Sequence, residues 1–148
     1  MVSAFLIAGF GFVFSLSQDF DLQCREIALL SINSFQKDLA AGNQLIRGLA
    51  LRVMTSIRVP DIIQIQILAV RKCATDSSPY VRKCAANALP KIHSLDKTQL
   101  DSLKQIREKL LMDRSTMVLG SAVAAFNEIC PHNYEILHKP YRILCQLL

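Results

Sequence analysis

Asn43–Ile57 (NQLIRGLALRVMTSI), Ser78–Ile92 (SPYVRKCAANALPKI) and Ser115–Ile129 (STMVLGSAVAAFNEI) decide the fold. They start 35 and 37 residues apart and agree in type column by column. Ile46, Val81 and Val118 share a column, as do Ala50, Ala85 and Ala122. So do Val53, Ala88 and Ala125, then Met54, Leu89 and Phe126, then Ile57, Ile92 and Ile129. Within each segment these positions fall on one face of an α-helix. Repetition at this period, with two helices per unit, predicts stacked hairpins that bury their apolar faces against each other.

Each repeated helix opens on a residue whose side chain can accept from a first-turn amide: Asn43, Ser78, Ser115. Pro79 stands at the first helical position, where a missing N–H costs nothing. Second helices are expected at Ile62–Thr75, Thr98–Met112 and Asn133–Leu147, and another at Leu22–Ala40 with Leu29, Ile32, Phe35 and Leu39 on one face. The result is an all-α solenoid of about seven helices in antiparallel pairs; no segment sustains strand alternation. The alanine column has a packing reason, since a methyl group lets helix axes approach closely. Gly48 and Gly120 are small neighbours of that column. Pro90 falls inside the repeated helix and removes the partner of the Ala86 carbonyl, so a bend or early termination is expected near Leu89.

The period is close to that of tetratricopeptide repeats, but their Trp and Gly-Tyr positions are missing. The spacing of Asp76 and Arg82 instead resembles HEAT/armadillo-like repeats, in which a turn Asp and an Arg early in the next helix form a ladder between units. Arg47 and Arg82 hold equal positions, and so do Asp76 and Asp113. Ala41 stands where a first Asp would, and Leu119 where a last Arg would.

The chain has 148 residues, a formal net charge of +5 and 51% hydrophobic residues, which excludes a disordered or low-complexity chain. Met1–Leu16 carries no charge, and five of the seven Phe lie at or before Phe20. At that length it is too short for a membrane span. A secretory signal would normally carry a basic start, which is absent. We therefore expect 1–21 to be an apolar leader outside the repeats and 22–148 to be the solenoid. Five cysteines, none spaced as CxxC, suit buried free thiols in a reducing compartment.

No residue set supports catalysis. The three His are not spaced with acids or Cys as metal ligands, and no phosphate-binding glycine loop or nucleophile elbow occurs. No cofactor, metal or small-molecule substrate is implied. The charge is more informative. From Arg47 to Lys91 eight basic residues face two acidic ones, Asp61 and Asp76. Arg47, Arg52, Arg58, Arg71, Lys72 and Lys83 are the candidate basic surface, with the ladder or a solvated face as the plainer reading. A stand-alone basic solenoid that binds anionic membranes or nucleic acid is an alternative function. Nucleic acid is the weaker partner, because Tyr80 is the only aromatic near these charges.

Glu26–Leu39 (EIALLSINSFQKDL), Asn43–Ile62 (NQLIRGLALRVMTSIRVPDI), Ser78–Ala86 (SPYVRKCAA) and Asp113–Pro131 (DRSTMVLGSAVAAFNEICP) resemble the trunk of the beta-type large chains of clathrin-adaptor complexes. Arg58-Val59-Pro60, His93-Ser94-Leu95-Asp96 and Ile136-Leu137-His138-Lys139 look most similar to the beta chains of adaptor protein complex three. The resemblance implies a non-catalytic scaffold, cytoplasmic and peripheral on Golgi, endosomal and coated-vesicle membranes. It would work with a second large chain, a medium chain and a small chain, sorting cargo towards lysosomes and related organelles. It implies recruitment by an Arf-family GTPase, with Leu29 and Ile32 as contact candidates, and no nucleic acid partner.

Overall fold

A computed structural model describes residues 31–129 and Cys145. Helix α1 covers 31–38, α2 Gln44–Met54, α3 Ile63–Cys73, α4 Pro79–Leu95, α5 Leu100–Leu111 and α6 Thr116–Ile129. Short 3-10 turns at Pro60–Ile62 and Lys97–Gln99 lead into α3 and α5. There is no strand among the described residues. The repeated helices α2, α4 and α6 stack on each other as one layer, and α3 and α5 meet in a second layer behind them. This is the HEAT/armadillo-like helical solenoid. The expected helix at Asn133–Leu147 lies outside the described residues, Cys145 apart.

The aligned columns form the core. Ala50, Ala85 and Ala122 are all buried, as are Met54, Leu89 and Phe126. One core runs from Phe35 of α1 and Leu39 just after it through to Ile129. Full burial of such a leucine or phenylalanine contributes about 1.5–3 kcal/mol, so stability is spread along the stack. The Ile46 column breaks at its first member: Val81 and Val118 are fully buried, whereas Ile46 is 41% exposed. Among the described residues, α4 and α6 each have a preceding helix in their layer, and α2 has none.

The two glycines near the alanine column differ. A Cβ on Gly48 would lie 2.5 Å from Tyr80 Cε1 and 3.3 Å from Cys84 Sγ, so the absent side chain makes room for α4. A Cβ on Gly120 would meet nothing within 4 Å.

Caps and ends correct two expectations. Asn43 accepts from the Leu45 amide at 2.9 Å, but the Ser78 side chain does not cap its helix. The Ser78 hydroxyl donates instead to Gln44 Oε1 of α2, and Asp76 accepts the Ser78 amide at 2.8 Å. Pro90 neither ends nor shortens α4, which continues to Leu95. Helix α4 lies between α2 and α6, and Leu89 and Ile92 on either side of Pro90 are fully buried. Tertiary packing there outweighs the lost backbone hydrogen bond, worth about 3 kcal/mol with the ring's clash.

The end of α2 is closed by side chains. Thr55 Oγ1 donates to Leu51 O at 2.9 Å and Ser56 Oγ to Arg52 O at 2.7 Å. Gln66, fully buried on α3, donates through Nε2 to Met54 O at 2.8 Å and Ile57 O at 2.9 Å. These bonds satisfy carbonyls that a helix end leaves unpaired.

Candidate interaction surfaces

The turns before α2, α4 and α6 lie along one edge of the slab, and two arginines join all three. Arg47 Nε and Nη2 donate to Asp76 Oδ2 and Oδ1 at 2.8 and 2.9 Å. Its Nη1 reaches back to Ala41 O and Gly42 O at 2.8 and 2.9 Å. One repeat later Arg82 does the same. Nε and Nη2 donate to Asp113 Oδ2 and Oδ1 at 2.6 and 3.1 Å, and Nη1 to Asp76 O and Ser77 O at 2.8 and 2.9 Å. Each Asp also accepts the amide two residues on, from Ser78 or Ser115. Each guanidinium thus ties its own turn to the turn of the next repeat, with the bidentate geometry that arginine favours.

The charges respond to this arrangement. The Arg47 hydrogen bond holds the Asp76 carboxyl below the usual carboxylate range, against the cost of burial. Burial alone would raise Asp113, but the Arg82 hydrogen bond and the Ser115 amide together bring it below that range. Arg47 and Arg82 are raised in turn, chiefly by their bonds to Asp76 and Asp113.

Arg47, a candidate for both the basic surface and the ladder, is in the ladder: it pairs with Asp76, and Nη1 donates to the flanking carbonyls. The other candidates separate. Arg71 and Lys72 are exposed on the last turn of α3, towards the ladder edge. Arg52 on the last turn of α2 and Arg58 just after it lie at the opposite edge. Lys83 is half-buried on α4. The sequence reading missed Lys91 as a member of the second group. Lys91 Nζ donates to Ser56 Oγ at 3.1 Å. The signal was available, since Ser56 and Lys91 occupy the same repeat column 35 residues apart.

Ile32 is half-buried against Val59 and Ile62. Leu29 lies outside the described residues. The sequence reading also missed Arg107 on α5, which is 1% exposed with its guanidinium carbon 5.0 Å from the Phe126 ring centre. Among the described residues its three nitrogens have no hydrogen-bond acceptor. It stands 37 residues after the fully buried Val70, in a core column.

Cys73 and Cys84 are free and buried. Burial, reinforced by Asp76, pushes the Cys73 thiol up to about 11. Burial also raises Cys84, against the pull of Arg52, Tyr80, Lys83 and Lys91. Neither is a reactive thiolate at neutral pH. Cys145 is free but exposed, contrary to the expectation of buried thiols. Among the described residues no three His, Cys, Asp or Glu group as metal ligands, and no helix is long and apolar enough to cross a membrane.

The sequence pattern of the adaptin N-terminal region matches residues 13–148. The chain belongs to that family. The adaptin match begins inside the segment expected to lie outside the repeats. Among similar proteins, the mouse (Mus musculus) AP-3 complex subunit beta-2 is 55% identical over 124 residues, covering 84% of this chain. The human AP-3 complex subunit beta-1 is 53% identical over the same length, and the Dictyostelium discoideum AP-3 complex subunit beta is 55% identical over 121 residues, 82% of this chain. This adaptin chain spans only 11–12% of the length of those relatives.

Proposed function

We propose that the chain acts as part of the beta-type large subunit of an adaptor complex, a non-catalytic scaffold in vesicle-mediated transport. The observation that carries this reading is the identity of 53–55% to AP-3 beta subunits over more than four-fifths of the chain. The repeated stack supports it, since a solenoid presents long faces to several partners at once. The partners are a second large chain, a medium chain, a small chain and an Arf-family GTPase. The site of action is the cytoplasmic surface of Golgi, endosomal and coated-vesicle membranes, held peripherally, with cargo sorted towards lysosomes and related organelles. The GTPase contact involves Leu29 and Ile32.

Co-expression with tagged medium chain, followed by capture of the full chain, tests the scaffold. Stoichiometric recovery is expected, and failure to co-purify would reject the reading. Capture on GTP-loaded Arf protein tests the contact. Ile32→Asp should reduce capture at least tenfold while leaving recovery with the medium chain unchanged. Undiminished capture would remove Ile32 from the site.

A further inference from the structure

The edge opposite the ladder brings together Arg52, Arg58 and Lys91; its carboxylates are Asp61 after α2, Asp96 after α4 and Glu128 near the end of α6. Arg52 and Ser56 lie one turn apart on α2 and its exit, with Arg58 two residues beyond. Lys83, Asn87 and Lys91 follow at four-residue spacing down one side of α4. The register places Arg52 beside Asn87 and Ser56 beside Lys91, and the second pairing is the 3.1 Å bond between them. Neither Arg52, Arg58 nor Lys91 makes an ion pair among the described residues. Glu128 continues the Ser56 and Lys91 column on α6, yet it forms no salt bridge with Lys91.

Cations gather near helix C-termini because terminal carbonyls attract them. Here those carbonyls accept from Thr55, Ser56 and Gln66, and neither guanidinium is bonded to them among the described residues. Burial, then the Arg52 and Arg58 charges, hold the Lys91 ammonium below the ordinary lysine value. The group repels itself, and an external anion would relieve that repulsion.

We propose that this seam between α2 and α4 binds a phosphorylated side chain of a peptide partner, with Arg52, Arg58 and Lys91 converging on the phosphate and Ser56 and Asn87 lining it. A phosphomonoester carries close to two negative charges near neutral pH and suits guanidinium pairs better than a single carboxylate does. Clustered arginines are the usual means of reading such groups. Two observations favour a peptide over a membrane plane. The free cations divide between opposite edges, with Arg71 and Lys72 on the other side of the slab, so no flat surface meets them together. Leu45 and Leu49, 57% and 40% exposed, continue the stripe of α2 above Arg52. They offer apolar contact to residues flanking the phosphate. The site is independent of the scaffold reading above.

The test uses the full chain and a fluorescein-labelled heptapeptide with one phosphoserine flanked by leucines, read by anisotropy. The phosphorylated peptide should bind at least tenfold more tightly than its unphosphorylated form. Arg52→Gln and Lys91→Gln should each weaken it at least tenfold with an unchanged Tm, while Arg71→Gln should leave it unaltered. Equal binding of the two peptides overturns the proposal. So does inorganic phosphate competing at the peptide's own affinity, which would mean a bare anion site. Binding to phosphatidylcholine vesicles containing a phosphoinositide, without binding to the peptide, overturns it in favour of a membrane.

Discussion

Arg82 and Arg52 lie on neighbouring helices of one layer and have opposite circumstances. At the ladder edge the next repeat supplies Asp113, and the preceding turn supplies two carbonyls, so Arg82 makes four hydrogen bonds. At the other edge Arg52 extends from a helix end whose carbonyls are already taken. The difference shows what charge counting misses. Net charge along a segment says how many cations there are, whereas the register between repeats decides which of them are neutralised. Arg47 and Arg82 are therefore structural, and at the edge opposite the ladder Arg52, Arg58 and Lys91 make no ion pair among the described residues.

The largest expected effect follows from that contrast. Arg82→Ala removes a bidentate pair and leaves the nearly buried Asp113 carboxylate with only backbone donors. The loss should be about 3 kcal/mol in urea denaturation. Arg52→Ala should stay within about 0.5 kcal/mol of the parent. Equal losses at the two positions would dissolve the distinction between the edges. The same edge sets the acid limit. Asp76 and Asp113 have folded pKa values below their unfolded ones. Their contribution is therefore fully present above about pH 4, the unfolded carboxylate value, and is lost as pH falls through the lowered folded values. A melting series from pH 6 to pH 2 should show a steep acid limb, and Asp113→Asn should flatten it.

Arg107 offers a third circumstance, buried and without a carboxylate partner among the described residues. Its guanidinium has Phe126 on one side and no acceptor. The ring attraction contributes about 1 kcal/mol, less than the cost of a buried unpaired charge. Arg107→Met should therefore stabilise the chain by about 2 kcal/mol, measured by the urea midpoint. A loss of stability instead would mean that Arg107 is bonded outside residues 31–129.

The stack was legible in the sequence because three copies of one helix repeat the same columns, and a column of Ala50, Ala85 and Ala122 admits few other arrangements. The ladder was legible for the same reason, since Asp76 and Asp113 recur at the spacing of Arg47 and Arg82. Features that depend on a single residue meeting a neighbour were not. Pro90 reads locally as a break, and only the burial of α4 between two helices keeps that helix whole. Ser78 reads as a cap, but Asp76 takes the amide of Ser78 itself and its hydroxyl turns to Gln44. Lys91 joins Arg52 and Arg58 through a contact between helices. Arg107 could have been found by carrying the register into the second helix, where it falls opposite Val70.

The two glycines put that lesson in its smallest measurable form, because they stand in the same repeat column, 72 residues apart in sequence. Helix propensity treats them alike, and alanine should gain about 1 kcal/mol at either. Packing separates them. At Gly48 a methyl group would sit 2.5 Å from the Tyr80 ring, so the ring or α4 must shift. Overpacking of this kind costs about 1–3 kcal/mol, which cancels or exceeds the propensity gain. At Gly120 the same methyl meets nothing within 4 Å. Gly120→Ala should therefore raise stability by up to about 1 kcal/mol, and Gly48→Ala should lower it by up to about 2 kcal/mol. Opposite signs would establish that the close approach of α2 and α4 depends on Gly48. Matching gains would mean that Tyr80 moves aside freely, and that the seam beside Arg52 is looser than its contacts imply.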